Sequence, residues 1–234
     1  MKADNHRVLL FDIDGTLLNP AGEGRGYLSQ ALIEVFGTAG PIESYPMAGM
    51  TDWQIVTDLM TEAGIAPERI EVNLDAAFAA YARVLAEAAS TLKIILLPGV
   101  TDLLRALSQH PEFTLGLVTG NVQEVVPYKL RVVGIDPAQF TFGAFGSERS
   151  HRNELPGLAL SRLEKNWGEP VNRARVLVIG DTARDIECAR HVGLKVMAVA
   201  TGHSTVEELA KHRPDYVLED LADTAAIMQI FQTF

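Results

Sequence analysis

The sequence predicts an α/β fold: a doubly wound parallel sheet with an inserted helical cap domain. Three observations carry this reading. Short apolar runs without alternation recur at residues 8–11, 114–118, 175–179, 196–200 and 216–218, as expected of strands buried on both faces. Helix-length amphipathic segments separate the later runs, which implies parallel strands joined by helical crossovers. Between about residues 19 and 93 no buried strand is legible and only helical periodicity remains. The 234 residues suit one large domain, or one carrying a smaller insert, at about 100–200 residues per domain.

In chain order, the first run is Val-Leu-Leu-Phe at 8–11, ended abruptly by Asp12-Ile13-Asp14-Gly15-Thr16. Segments 27–36 and 51–63 then read as helical. Leu74, Phe78, Tyr81, Leu85 and Ala88 follow at steps of 4, 3, 4 and 3, one stripe of a helix. So much chain exceeds what a loop in a compact domain accounts for. It is read as a cap at 19–93, between core segments 1–18 and 94–234, in preference to a long crossover. Leu97-Pro98-Gly99 marks the return to the sheet. Residues 100, 103, 104 and 107 put one apolar face on a helix over 100–110. Pro127 should start or kink a helix within 122–133. A helix follows at 155–165, and another at 183–192 stops before Gly193. Ser204-Thr205-Val206-Glu207 reads as a capping box opening one more.

Composition narrows the function classes. Lys and Arg total 20 against 30 Asp and Glu, a net charge of −10. Such a chain is not built to grip a nucleic-acid backbone, which needs clustered cations. A small anionic substrate stays possible, because one metal ion or cation can override the net charge. No apolar run approaches the roughly 20 residues that span a bilayer, so no membrane partner is expected. Cys188 is the lone cysteine and excludes an intrachain disulfide. With no signal peptide legible at 1–5, a cytoplasmic location is expected. Monomer and homodimer both stay open.

In open parallel sheets ligands gather at the carboxyl ends of the strands. The first strand ends in Asp12 and Asp14, the second in Thr119-Gly120-Asn121. The third ends in Gly180-Asp181, with Asp185 four residues on. Carboxylates crowded into one pocket repel unless a cation is present. Hard oxygen donors in small number suit magnesium, with a substrate phosphate completing its coordination. The plainer reading, that these aspartates only cap helices and turns, is strongest for Asp185.

LLFDIDGTLL (9–18), LVTGN (117–121) and VLVIGDTARDIECAR (176–190) resemble three of the four motifs of the haloacid dehalogenase (HAD) superfamily. The insertion after the first motif is similar to the helical cap of its phosphoglycolate phosphatase-like branch. The resemblance implies a Mg2+-dependent phosphatase acting on a small phosphorylated metabolite, a phosphoglycolate-like or sugar phosphate monoester. It implies Asp12 as nucleophile forming an aspartyl-phosphate, and Asp14 as acid and base. Mg2+ would be held by Asp12, the Ile13 carbonyl and Asp181, within a metal set that also takes in Asp14. Asp185 would be a supporting ligand or an acceptor beside the ion. Thr119 would bind a phosphoryl oxygen. Thr16 and Asn121 would join the substrate site, and Gly15 and Gly120 would let backbone N–H groups approach the phosphate. Asp14 favours phosphoryl transfer over carbon–halogen cleavage, since the dehalogenases lack an aspartate there. A sugar phosphomutase of the same superfamily and a non-catalytic phosphate-binding or regulatory protein are the alternatives.

The family's third motif supplies a lysine, and the stretch 148–156 here has none. Arg152 is the candidate substitute, because a guanidinium stays charged and binds phosphate in two-pronged fashion. Arg149 and Lys129 follow it. In the cap, Met47–Gln54 resembles a substrate-facing turn of this branch, which implies Gly49, Thr51, Asp52 and Gln54 at the site. Thr51 also reads as a helix N-cap. The histidines show no metal-ligand spacing, and Cys188 reads as a buried helix residue.

Overall fold

The computed structural model describes residues 6–234, so the leader reading at 1–5 lies outside the described residues. Strand β1 (Arg7–Phe11) runs into a tight turn. A two-residue strand, β2 (Leu18–Asn19), then pairs antiparallel with β3 (Ile95–Leu96). Between these two lie α1 (Glu23–Phe36), α2 (Asp52–Glu62) and α3 (Pro67–Glu87). After β3 the alternation begins. It runs α4 (Val100–Ser108), β4 (Phe113–Thr119), α5 (Val126–Val132), β5 (Phe142–Phe145), α6 (Leu155–Trp167) and β6 (Val176–Gly180). It continues with α7 (Ala183–His191), β7 (Lys195–Val199), α8 (Val206–Lys211), β8 (Tyr216–Leu218) and α9 (Thr224–Thr233).

The six longer strands form one wholly parallel sheet in the order β5-β4-β1-β6-β7-β8. β1 lies inside the sheet, which explains its unbroken apolar run. Side chains alternate across a strand, so Leu9 and Phe11 pack with Leu103, Leu107, Leu130 and Phe231 on one face. Val8 and Leu10 pack with Leu160, Leu163, Ile186 and Ala189 on the other. A third cluster joins the helical segment: Leu28, Leu32, Ile55, Leu59, Leu74, Phe78 and Leu85, with Val122 and Val125 from the loop after β4.

Two local readings need correction, and the Pro127 reading holds in its first form. β5, Phe-Gly-Ala-Phe, was not legible as a strand, because four residues at a sheet edge with a central glycine give neither a run nor an alternation. The capping box of α8 is Thr205 with Glu208, one residue later than read. Two hydroxyls in a row make that register ambiguous in sequence. Pro127 starts α5 and does not kink it, since a single 3-10 turn, Gln123–Val125, carries the chain in.

Candidate active site

The strand ends of β1, β4 and β6 open on a cavity of about 650 Å3, roofed by the helical segment. Asp12 lies immediately beyond β1 and is buried. Its Oδ2 lies 3.1 Å from Arg152 Nη2, and its Oδ1 is buried with no hydrogen-bond partner among the described residues. The same Nη2 reaches Asp185 Oδ1 at 2.5 Å, so one guanidinium spans two carboxylates. Arg152 is itself 6% exposed. Burial alone would discharge it, but Asp12 and Asp185 hold its pKa well above the usual value.

Oxygens of Asp12, Asp181 and Asp185 lie within 4.8 Å of one another. Burial, then the neighbouring carboxylates, pushes Asp181 up to about 9, and burial carries Asp12 up to about 6 despite Arg152. These three acids share one guanidinium, so the group is short of positive charge. Asp181 also sits where side chains are excluded. A Cβ on Gly15 would fall 2.2 Å from its Oδ2, and one on Gly202 1.8 Å. An orphaned carboxylate oxygen, an excess of buried negative charge and hard oxygen donors together fit a divalent cation.

Three expected metal contacts are revised or refined by geometry. The Ile13 carbonyl accepts from the N–H groups of Thr16, Leu17 and Leu18 at 3.2, 2.8 and 3.1 Å. It is saturated within the turn and does not face a cation. The Asp14 carbonyl accepts no hydrogen bond among the described residues. The Asp14 side chain stands outside the acidic cluster, because its Oδ2 accepts from Lys129 Nζ at 2.7 Å and Asn121 Nδ2 at 2.9 Å. Asp185 is in the cluster with both oxygens engaged. Oδ1 meets Arg152, and Oδ2 accepts from Thr182 N and Oγ1 at 3.0 and 2.6 Å, closing a capping box on α7.

Around Asp14 the contacts form a second unit. Lys129 is 3% exposed, and its ammonium donates to Asp14 and to Asn121 Oδ1. Burial would lower its pKa, yet Asp14 and Tyr81 raise it above the ordinary lysine value. Asn121 Nδ2 also donates to Thr119 Oγ1 at 2.8 Å. Asp14 Oδ1 is buried and unpartnered among the described residues. Thr119, Gly120 and Asn121 all line the cavity.

Several expected substrate contacts go elsewhere. The Gly15 N–H donates to the Leu18 carbonyl at 2.7 Å, and Thr16 is wholly buried with its hydroxyl 3.3 Å from Asp181 Oδ1. Thr51 caps α2 and donates to the Ser150 carbonyl at 2.7 Å, so it lies under the cavity wall. Gln54 is one turn into α2 and does not line the cavity. Gly49 and Asp52 do line it. Asp52 N donates to the Gly120 carbonyl and its Oδ2 accepts from Val122 N, both at 2.7 Å. Burial lifts Asp52 to about 6. Arg149 is paired with Glu154 at 3.3 Å and stays outside. Sequence reasoning missed Arg25, Tyr81, His203 and Gly202 as lining residues. None of them lies in a motif that points to a ligand.

A HAD-hydrolase-like family profile matches residues 153–224. Pyrophosphatase PpaX of Bacillus pumilus is 33% identical over 132 residues, which covers 55% of this chain and 57% of that one. The chain thus spans little more than half of that relative's length. The phosphoglycolate phosphatase of Synechococcus elongatus is 29% identical over 93% of this chain and 94% of its own. Two crystal structures share the fold at a TM-score of 0.70. They are a hydrolase from Pseudomonas syringae (20% identical; 96% of this chain, 99% of that one) and CbbY from Rhodobacter sphaeroides with phosphate (19%; 93% and 96%). The chain is thus similar to HAD-like hydrolases over residues 153–224 and to a phosphoglycolate phosphatase over nearly its whole length, and it has the fold of these solved structures. No helix among the described residues is long and apolar enough to cross a membrane.

Proposed function

We propose that the protein is a Mg2+-dependent phosphatase that hydrolyses small phosphate monoesters through an aspartyl-phosphate on Asp12. The observation that carries this is the buried, unpartnered Oδ1 of Asp12 at the floor of a cavity, with a guanidinium on its other oxygen. Arg152 keeps Asp12 oriented and favours its ionised form, as a nucleophile requires. It takes the part that a lysine has in the family's third motif. Thr119 and the backbone around Gly120 border the place of the phosphoryl group. Attack by Asp12 on phosphorus expels the leaving alkoxide, and Asp14 Oδ1, the free oxygen of that carboxyl, gives it a proton. The same oxygen then takes a proton from the water that cleaves the aspartyl-phosphate.

Asp12 and Asp181 would hold Mg2+, with the Asp14 carbonyl as the unpaired backbone oxygen of the turn and Asp185 as support. When bound, the ion neutralises charge on the phosphoryl oxygens. We propose that 19–93 act as a cap on a core of 1–18 and 94–234, the β2–β3 ribbon at its base. Such a roof excludes water and confines the leaving group to small molecules.

The test is a panel of phosphate esters with pyrophosphate included, assayed with magnesium and with chelator, for the wild type and Asp12→Asn. Magnesium-dependent turnover that Asp12→Asn abolishes is the expected result. Turnover surviving either the chelator or the substitution would overturn the mechanism.

A further inference from the structure

We propose that Arg25 forms a subsite for a second anionic group of the substrate, a carboxylate or a further phosphate set apart from the phosphoryl group that Asp12 attacks. The proposal rests on the phosphatase reading and names its substrate class. Arg25 lines the same cavity as Asp12. The two other lysine or arginine side chains there are neutralised, Arg152 by Asp12 and Asp185, and Lys129 by Asp14. Arg25 is not. Its Nη1 donates to the Ile42 carbonyl and its Nη2 to the Tyr45 carbonyl at 2.9 Å. Both partners are neutral, and it makes no ion pair among the described residues.

A guanidinium carries five N–H donors, and these two bonds leave three without a partner among the described residues. Helix stability does not account for the residue either. Arg25 stands in the first turn of α1, where the helix dipole disfavours a cation. The two carbonyls fix the side chain in advance, so ligand binding costs little rotamer entropy. The lining nearby is apolar, with Leu28, Met47 and Ile55. An anion reaching Arg25 meets three N–H donors that have no partner among the described residues. The cavity, at about 650 Å3, has room for a leaving group that reaches it.

The experiment compares kcat/KM within matched pairs, with magnesium, for wild type, Arg25→Gln and Arg25→Lys. One pair is phosphoglycolate and its neutral amide. The other is propane-1,3-diol bisphosphate and its monophosphate. In the wild type the charged member of at least one pair should be preferred by about 10- to 100-fold, as expected of a charge-assisted contact. That ratio should fall toward one in Arg25→Gln, through KM more than kcat, and recover in part in Arg25→Lys. Which pair responds tells carboxylate from phosphate. Equal use of charged and neutral members by the wild type overturns the subsite and needs no variant to fold. A ratio unchanged in Arg25→Gln overturns it too, and both outcomes leave the phosphatase reading standing. No turnover of any member beyond that of Asp12→Asn defeats both.

Discussion

At the residue scale, Arg152 decides how the acidic cluster can exist at all. It lies between Asp12 and Asp185, all three at most 6% exposed. Removing one partner from a buried ionic group leaves uncompensated charge, at about 3–5 kcal/mol. Arg152→Met is therefore expected to lose most turnover and about 3 kcal/mol of stability, as measured by urea denaturation and a phosphate-release assay. Arg152→Lys should recover part of the turnover. An active Arg152→Ala beside an inactive Lys129→Ala would move the role to Lys129. Gly202 gives a second prediction at this scale. A methyl group there would meet Asp181 Oδ2 at 1.8 Å, so Gly202→Ala should displace that carboxylate. Divalent-ion affinity should weaken at least about tenfold by titration calorimetry, in the range typical of disturbed ligand support, with the far-ultraviolet circular dichroism unchanged.

At the element scale, the start of α2 is bonded to the loops it covers. Thr51 reaches Ser150, the Asp52 and Trp53 N–H groups reach the carbonyls of Gly120 and Gly146, and Asp52 Oδ2 accepts from Val122. One helix terminus thereby satisfies its own unpaired donors and ties the roof to the loops after β4 and β5. Asp52 carries a pH dependence with a definite sign. Burial raises it from 3.8 to about 6, so the docked state holds the proton more tightly than the undocked one. Docking should weaken as pH rises from about 4 to about 6 and then level off. Hydrogen exchange over residues 51–62, corrected for intrinsic rate, should show that rise in opening, and Asp52→Asn should flatten it.

At the scale of the whole molecule, the site is an electrostatic strain that the proposed cation would relieve. Without metal, Asp12 and Asp181 titrate at about 6 and about 9, both raised from 3.8. A carboxyl raised in the folded state binds protons that the unfolded chain has already lost. Stability of the chelated protein should fall as pH rises from about 4 toward about 9. Cation binding expels those protons, so the rise in melting temperature on adding magnesium should grow across the same window. Scans with magnesium and with chelator at pH 6 and pH 8.5 check this. An increment equal at both would show that these carboxyls do not hold the ion.

The parallel sheet and its acidic rim were legible because they depend on local chemistry. A strand buried on both faces must be apolar throughout, as residues 8–11 are, and what ends it lies at the rim of the sheet. Asp12, Asp14, Asp181 and Arg152 could be found on that ground and by their likeness to family motifs. Which partner each acquires is a matter of tertiary structure. The pairing of Lys129 with Asp14, the saturation of the Ile13 carbonyl and the turning of Thr51 toward Ser150 join groups that lie up to 115 residues apart. Hydrogen bonds and ion pairs are satisfied in space, and sequence periodicity carries no record of them. Chain chemistry alone determined where reactive groups could stand. The packing of the helical segment on the sheet decided which of them are buried together, which are neutralised, and which, like Arg25, keep an unspent charge.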